Sequence, residues 1–250
     1  MNGNRSVIYT AIFGKKDTLH DPLFVPPGWD LVCFTDQSLS SRVWQVRRVE
    51  APEKDPTRSA RKYKILAHEW LSEYDVSVWI DGNILIKKDL RELVSRYLAS
   101  ANLAVLDHSA LKEIPLSTLQ AHEERLLWME SIGKHQDDAG LIRRQGEAYR
   151  HAGYPDTQGL ACTLFMIRRH QKPDVITAME RWWEELSKWS KRDQMSFNYA
   201  AWKTGLRFNY IPLDAFGNEY MDRLNHQLPF RKKLHSYWLG GVKRFKKIFS

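Results

Sequence analysis

The sequence lacks the features that mark secreted or membrane-spanning proteins. None of its apolar runs approaches the roughly 20 residues that a helix needs to cross a bilayer. The first residues lead directly into a strand pattern without the apolar segment of a signal peptide, so we expect no N-terminal anchor. Only two cysteines occur, Cys33 and Cys162, and their spacing matches no metal-binding motif. The sequence therefore predicts buried, free thiols in a cytoplasmic protein.

Acidic residues are missing from the end of the chain. Residues 231–250 contain seven lysines and arginines and no acidic residue, whereas the net charge of all 250 residues is +8, so the rest carries only +1. Phe245, Ile248 and Phe249 recur at helical spacing between these cations, a pattern typical of a helix on an anionic membrane surface. A solvated terminal helix docked on the domain is the alternative. No recognised nucleic-acid-binding motif accompanies the charge, so we expect no nucleic-acid partner.

What the sequence does contain is an alternation of strand-like and helical segments with ample apolar content. Hydrophobic residues make up 43% of the chain, with ten each of Trp, Tyr and Phe, which is enough for a large core. The predicted strands are 6–13, 29–35, 42–49, 75–80, 103–106 and 160–167, and the predicted helices are 58–71, 89–98, two within 117–151, 173–189 and 192–203. We expect an α/β fold with a mostly parallel central sheet flanked by helices, in one domain over residues 1–230 followed by the tail at 231–250.

The most specific local signal is a buried strand that ends in Asp81, Gly82 and Asn83. Val78 to Ile80 form an apolar run, and Gly82 permits a tight turn at its end. In extended backbone, residues i and i+2 point to the same side, so Asp81 and Asn83 are predicted to present two oxygens to one point. Hard divalent cations prefer such oxygen ligands. An ordinary Asp-Gly turn between two strands is the alternative interpretation.

Cationic side chains precede this strand on a predicted helix. Arg61 and Lys64 are three residues apart and therefore share one helical face. Arginine binds phosphate oxygens in pairs and lysine acts as a point charge, so this face would suit a diphosphate. Earlier in the chain, Asp36 ends another strand and could bind a nucleoside, because ligands of open α/β sheets lie beyond the carboxyl ends of strands. A solvated helix face and the start of a loop are the respective alternatives.

A second acidic group opens the last predicted helix. Asp193 and Gln194 precede Met195, Phe197 and Tyr199, which supply apolar bulk. The Asp193 carboxylate could cap the helix by accepting backbone hydrogen bonds. It could instead face a reacting sugar hydroxyl, or the positive charge that develops at an anomeric carbon. The residues alone favour the cap.

Several short motifs occur together in an order that resembles one family. They are Tyr9 to Gly14, Cys33 to Asp36, Arg61 with Lys64, Trp79 to Gly82, Tyr149 with Gly153 to Pro155 and Gly159-Leu160, Ile167 to His170, Glu180 to Glu185, and Arg192 to Phe197. This ordered set resembles the mucilage-related (TOD/MUCI) glycosyltransferase-like domain over about residues 7–204. The resemblance implies a GT-A-like fold that binds a nucleoside-diphosphate sugar.

The resemblance also implies roles for individual residues. Asp193 and Gln194 would be the catalytic residues, facing the reacting sugar. The donor-binding residues would be Thr10, Ala11, Phe13, Asp36, Arg61, Lys64, Asp81, Gly82, Gly159 and Leu160.

A divalent metal, Mn²⁺ or Mg²⁺, is part of the same expectation. Its ligands would be Asp81, Asn83 and a late histidine, either His235 or His226. Asn83 stands where a second carboxylate is usual in such motifs, so the expected metal affinity is low.

Together these expectations describe a glycosyltransferase of the hexosyltransferase type. The donor would be a nucleoside-diphosphate sugar, first of all a UDP-sugar, and the acceptor a hydroxyl of a glycan or a lipid-linked glycan. A chain with this basic tail would suit surface-polysaccharide synthesis as a peripheral protein at the inner face of a membrane. Two alternatives stay open: a catalytically silent glycan- or nucleotide-binding module of the same fold, and a nucleic-acid-associated protein that binds through the tail.

The tail allows a direct test of the membrane interpretation. Each lysine or arginine near an anionic leaflet contributes about 1 kcal/mol, so deleting residues 231–250 should abolish salt-sensitive binding to anionic liposomes. Co-sedimentation of the intact and shortened chains at low and physiological salt measures this. Equal binding by both chains would contradict the interpretation, and preferential binding to RNA or DNA would favour a nucleic-acid partner.

Overall fold

The computed structural model describes residues 5–134 and 137–224. Within these ranges the chain forms nine strands and seven α-helices. The strands are β1 (Ser6–Ile12), β2 (Trp29–Thr35), β3 (Gln45–Arg48), β4 (Val76–Ile80), β5 (Ile84–Ile86), β6 (Leu103–Asp107), β7 (Ala161–Arg168), β8 (Asn209–Ile211) and β9 (Met221–Arg223). The helices are α1 (Pro56–Ile65), α2 (Ala67–Trp70), α3 (Arg91–Tyr97), α4 (Leu119–Ser131), α5 (Ala139–His151), α6 (Pro173–Lys188) and α7 (Gln194–Thr204). The tail at 231–250 lies outside the described residues, so the domain boundary at residue 230 stays a prediction.

Seven strands form one sheet in the order β3-β2-β1-β4-β7-β6-β8. All run parallel except β7, which is antiparallel to its neighbours β4 and β6. The carboxyl ends of β1, β2, β4 and β6 consequently lie along one edge, which is where ligands of such sheets bind. β5 and β9 pair in a separate antiparallel ribbon. This topology confirms the predicted α/β fold with a mostly parallel central sheet.

The central sheet is buried on both faces. Alternate residues of β1 enter two different apolar layers, Tyr9 in one and Ile8 in the other. Trp182 of α6 and Phe197 of α7 complete the first layer, and Leu93 of α3 contributes to the second. Strands covered on both faces have nearly continuous apolar sequences, which explains why these segments could be located from the sequence.

Two expectations drawn from composition can be compared with the described residues. Cys33 and Cys162 are both buried and both free, as predicted. None of the helices in the described ranges has the length and apolar character that crossing a membrane requires.

The long helix predicted before β4 is divided in the structure. α1 ends at Ile65, and Leu66 leaves helical geometry (φ −89°, ψ 44°) before the short α2 begins. The fully buried Arg168 of β7 donates to the carbonyl oxygens of Lys64 at 2.7 Å and Ile65 at 3.2 Å, and also to the Tyr9 hydroxyl. Carbonyls at a helix end lack partners within the helix, so this arginine fixes the end of α1 against the sheet.

Three short strands are absent from the sequence predictions. β5, β8 and β9 are each three residues long, too short for an alternating pattern to be recognised. β9 matters for the site, because its pairing with β5 brings Arg223 opposite Ile84, just beyond the end of β4.

Candidate active site

A cavity of about 390 Å³ opens at the carboxyl edge of the sheet, where β1 and β4 end. Several residues singled out from the sequence line it: Ala11, Phe13, Arg61, Asp81, Gly82, Asn83, Asp193 and Gln194. Lys64 lies beneath them, fully buried. The fold therefore brings most of the predicted site residues to one place.

The floor of the cavity is a buried network around Lys64. Its Nζ atom lies 2.5 Å from Asp193 Oδ2 and 3.4 Å from Asp81 Oδ1, and it donates to Thr163 Oγ1 at 3.1 Å. The Thr163 hydroxyl donates to Asp193 Oδ2 at 3.0 Å. Arg61 approaches both carboxylates, with Nε 3.1 Å from Asp193 Oδ2 and Nη1 3.6 Å from Asp81 Oδ1. Two cations therefore neutralise two carboxylates that come from β4 and α7.

Asp193 precedes α7 but does not cap it. Its backbone is already helical (φ −59°, ψ −32°), and its side chain makes no capping hydrogen bond. The carboxylate turns toward Lys64 instead, while the indole Nε1 of Trp182 donates to the Asp193 carbonyl oxygen at 3.0 Å. The cap that the residues alone favour is therefore wrong, and the carboxylate belongs to the cavity.

The neighbouring cations keep Asp193 ionised. Burial by itself would raise the pKa of this carboxyl, but the charges of Arg61 and Lys64 outweigh that effect and hold the pKa well below its usual value of 3.8. A carboxyl with so low a pKa cannot donate a proton near neutral pH, and it is a weak base. Asp193 is thus suited to binding hydroxyl groups or stabilising positive charge.

The end of β4 is packed closely against the loop that follows β1. Trp79 Nε1 donates to Asp81 Oδ1 at 2.8 Å, which orients the carboxylate. A Cβ atom on Gly82 would lie 3.2 Å from Asp17 Cβ and 3.3 Å from Asp17 Oδ2. The missing side chain allows this close approach, since a Cβ atom here would require Asp17 to shift by a few tenths of an ångström.

The turn after β4 corrects the geometry expected for Asn83. Residues 81–84 form a tight turn rather than extended backbone, with the Ile84 amide donating to the Asp81 carbonyl oxygen. The Asn83 side-chain amide donates to the Leu224 carbonyl oxygen at 3.1 Å, and the Leu224 amide donates back to the Asn83 carbonyl oxygen. Strand alternation therefore does not apply at Asp81 and Asn83, and it gives no reason for their side-chain oxygens to meet at one point.

The described residues alone do not complete a metal site. In the described part of the chain, no three acidic, histidine or cysteine side chains are arranged to hold an ion. The carboxylates of Asp81 and Asp193 are already paired with cations. The expected further ligand, His235 or His226, lies outside the described residues.

Besides Lys64 beneath the floor, four residues predicted to bind the donor are not among the residues that line the cavity. Thr10 is buried within β1, and Asp36 accepts the amide of Gly14, with both carboxylate oxygens at 3.2 Å. Gly159 has a left-handed backbone (φ +76°) and packs against an aromatic ring, and Leu160 belongs to a separate apolar cluster. Packing and turn geometry account for these residues in the structure.

Four further charged residues line the cavity, none of them predicted to bind there: Lys16, Asp17, Arg192 and Arg223. Lys16 and Asp17 follow the end of β1 and Arg192 adjoins Asp193, so proximity to known strand ends and motifs was a usable signal for them. Arg223 depends on the pairing of β9 with β5, for which the sequence gives no local sign.

The cavity carries more positive than negative charge. Among the described residues that line it, four are cations (Lys16, Arg61, Arg192 and Arg223) and three are carboxylates (Asp17, Asp81 and Asp193). Lys64 adds another cation directly beneath. A polar cavity of this charge is suited to an anionic ligand such as a diphosphate.

We expect Asp193→Asn to lower the free energy of unfolding at pH 7 by about 3 kcal/mol, because it leaves Lys64 without its nearest buried counter-ion. The stability that comes from a depressed carboxyl pKa is present above the unfolded-state pKa of about 3.9 and is lost as the pH falls through the folded-state value. The difference between wild type and variant should therefore narrow below about pH 4. Urea unfolding of both proteins at neutral and acidic pH measures this difference in the free energy of unfolding.

Asp174→Asn is the matched control for this change. Asp174 is exposed and bonds only to the side-chain amide of Asn102 among the described residues, so its replacement should change stability by less than about 0.5 kcal/mol. A difference for Asp193→Asn that stays constant from neutral to acidic pH would contradict the ionised state assigned to Asp193.

Solved structures similar to this chain are glycosyltransferases at low sequence identity. The apo structure of the WbbM bifunctional glycosyltransferase matches with a TM-score of 0.51 and 12% identity, over 94% of this chain and 44% of that one. Mouse xyloside xylosyltransferase 1 in its apo form matches with a TM-score of 0.48 and 11% identity, over 83% and 84% of the two chains. This chain thus spans less than half of WbbM, and the likeness to WbbM confirms the GT-A-like fold.

Sequence comparison identifies the family directly. No curated protein matches the chain significantly. The model of the TOD1/MUCI70 glycosyltransferase-like domain matches residues 32–228, which is most of the chain and includes α1, the end of β4 and the start of α7. The matched range contains Arg61, Asp81 and Asp193 and most of the cavity lining, apart from the end of β1 and the loop after it, and the chain belongs to the TOD1/MUCI70 glycosyltransferase-like domain family.

Proposed function

We propose that this protein is a hexosyltransferase that moves a sugar from a nucleoside-diphosphate sugar, first of all a UDP-sugar, to a hydroxyl of a glycan or lipid-linked glycan. The observation that carries the proposal is an ionised carboxylate, Asp193, held by Lys64 and Arg61 at the floor of a positively charged cavity. Membership of a glycosyltransferase-like family supports the general class of reaction.

The donor diphosphate would bind the cationic wall of the cavity. Arg61, Arg192 and Arg223 supply guanidinium groups, which contact phosphate oxygens in pairs, and Lys16 supplies a point charge. Arg192 Nε is buried and has no hydrogen-bond partner in the described structure, so this donor is available to a ligand. Negative charge that develops on the departing diphosphate would be stabilised by the same side chains.

The sugar would lie next to Asp193. Because this carboxylate stays ionised, it can accept hydrogen bonds from sugar hydroxyls and stabilise positive charge that develops at the anomeric carbon. Gln194 lines the cavity beside it, and its side-chain amide donates to the Ala161 carbonyl oxygen at 3.3 Å, which fixes its orientation. The two residues would thus position the reacting sugar.

The cellular setting is a separate part of the proposal. The basic, aromatic segment at 231–250 would attach the protein to an anionic membrane surface, at the cytoplasmic face, where lipid-linked glycans for surface polysaccharides could be extended. A divalent metal, Mn²⁺ or Mg²⁺, also stays in the proposal, held by Asp81 and His235, since the reason for adding Asn83 does not apply at this turn.

Arg61→Met should weaken binding of the sugar nucleotide at least tenfold, because it removes a paired contact with phosphate. Thermal stabilisation by UDP-, GDP-, dTDP- and CMP-sugars, each with manganese and with EDTA, provides the measurement. A ligand at a hundred times its Kd adds about 2.7 kcal/mol of stability, which is easily detected. Lys62→Met is the matched control, since Lys62 lies on the same helix with Nζ 5.7 Å from the centre of the Trp183 ring, outside the cavity wall.

The outcomes of this measurement separate the donor from the metal. Stabilisation that requires manganese and disappears in Asp81→Asn would establish a metal-dependent donor site. Stabilisation that persists in EDTA would retain the donor site and remove the metal from the proposal. If no sugar nucleotide stabilises the wild-type protein, the donor proposal fails.

Asp193→Asn should lower kcat for sugar transfer by about a hundredfold or more, because it removes charge stabilisation at the reacting carbon. Affinity for the sugar nucleotide should fall much less, since the cationic wall is unchanged. Release of the nucleotide and mass spectrometry of the product measure kcat, and thermal stabilisation measures the affinity for the sugar nucleotide. Asp174→Asn is the control. A wild-type protein that binds the donor but neither transfers nor hydrolyses it would favour a silent binding module instead.

A further inference from the structure

Two histidines with unpaired ring nitrogens lie close together outside the cavity lining. His108 directly follows β6, and His122 lies near the start of α4. Their rings meet edge to face, with centroids 5.9 Å apart. His122 is 4% exposed and His108 is 6% exposed. Neither ring nitrogen of His122 has a hydrogen-bond partner, and the same holds for His108 Nδ1.

The histidine pair belongs to the same edge of the sheet as the cavity. β6 runs parallel to β4, so His108 follows a carboxyl end on the ligand-binding edge. Arg192 and Asp193, which line the cavity, both act electrostatically on His122, and Arg125 does so as well. In the strand order, β6 lies two strands beyond β4, on the side away from β1. The pair therefore lies toward the β6 side of this edge, away from β1.

Both imidazoles are neutral near neutral pH. Burial lowers the pKa of His122 to about 3, and the adjacent positive charge of Arg192 acts in the same direction. Burial also lowers the pKa of His108 below its usual 6.5. A neutral imidazole has one N–H donor and one acceptor nitrogen, which matches the donor and acceptor capacity of a hydroxyl group.

Buried polar atoms without partners are costly, and they are rare in folded proteins. Three such nitrogens on two touching rings therefore indicate a ligand that hydrogen-bonds to them. A metal ion is disfavoured as that ligand, because in the described part of the chain no third acidic, histidine or cysteine side chain joins the pair to hold an ion.

We infer that His108 and His122 form a subsite for the hydroxyl groups of a neutral sugar ring. This inference rests on the proposed function and extends it, since it names residues that bind the sugar rather than the diphosphate. The sugar has two possible sources, the transferred sugar of the donor and the acceptor glycan. The Ile114 backbone lies against His108 in the irregular segment before α4.

The test uses the intact chain with His122→Leu, His122→Gln and a matched control, His151→Leu, at an exposed position of α5. UDP and the sugar nucleotide that best stabilises the wild-type protein are the probes for binding. Nucleotide release with and without an acceptor glycan separates transfer from donor hydrolysis. The glutamine variant keeps one donor and one acceptor group, so it distinguishes lost hydrogen bonding from lost packing.

His122→Leu should leave the affinity for UDP within about twofold of wild type, because UDP has no transferred sugar. If the subsite binds the donor sugar, the affinity for the intact sugar nucleotide should fall about tenfold. If it binds the acceptor, kcat/KM for transfer should fall about tenfold while donor hydrolysis is unchanged. In either case His122→Gln should recover most of the loss, and His151→Leu should behave as wild type.

Three results would overturn the inference: no loss in His122→Leu, equal losses for UDP and the sugar nucleotide, or a glutamine variant no better than leucine. Failure of the proposed function looks different, since then no sugar nucleotide stabilises the wild-type protein. In that event, the His108 and His122 ring signals are followed by NMR during titration with methyl glucoside and methyl galactoside. Shifts confined to these two rings support the subsite, and unchanged signals overturn it.

Discussion

The burial of the Lys64 ammonium group is the constraint on which the site depends. A charge with no access to solvent must have counter-ions and hydrogen-bond acceptors, and here these are Asp193, Asp81 and Thr163. They lie just before α7, just after β4 and within β7, so the position of one lysine on α1 fixes the relative placement of four elements. Buried ion pairs seldom stabilise a fold more than apolar side chains of similar volume would. The network is better explained by what it leaves in the cavity, a carboxylate that is ionised at neutral pH.

Both members of the central pair are also held through their backbone. Arg168 donates to the Lys64 carbonyl oxygen, and Trp182 donates to the Asp193 carbonyl oxygen. Each of these large side chains is fully buried, and neither reaches the cavity lining. Trp182 therefore serves the site by anchoring the start of α7, not by stacking on a ligand. The carboxylate and the ammonium group are positioned before any ligand arrives, as electrostatic stabilisation of a reaction requires.

Much of the fold and part of the site could be predicted from the sequence. The long strands are buried on both faces, so their apolar runs are visible, and the spacing of Arg61 and Lys64 correctly places them on one helical face. Local sequence is less informative about Asp193, where a helix cap is the simpler interpretation and only the ordered set of motifs indicates the cavity. Arg223 could not be predicted, because it depends on a ribbon of two three-residue strands that are far apart in the chain.

Turns also limited how much of the site could be predicted from the sequence. The alternation rule applies to extended backbone, and the chain turns at Asp81, so Asn83 bonds to Leu224 rather than facing the same point as Asp81. Gly159 and Leu160 belong to one of the motifs, yet the structure explains them by a left-handed backbone and by apolar packing. A sequence motif contains residues needed for folding as well as residues needed for binding, and the three-dimensional geometry is required to tell them apart.

The paired hydrogen bonds between Asn83 and Leu224 also determine where the last part of the chain departs. Leu224 is the last described residue, and it is bonded to the cavity wall in both directions. A fully extended chain spans at most about 3.5 Å per residue, so seven residues reach no further than about 25 Å from their starting point. A surface bound by a segment that starts from Leu224 would stay within reach of the cavity. For an acceptor confined to that surface, such tethering would replace a search in three dimensions by one in two, and raise its effective concentration at the site.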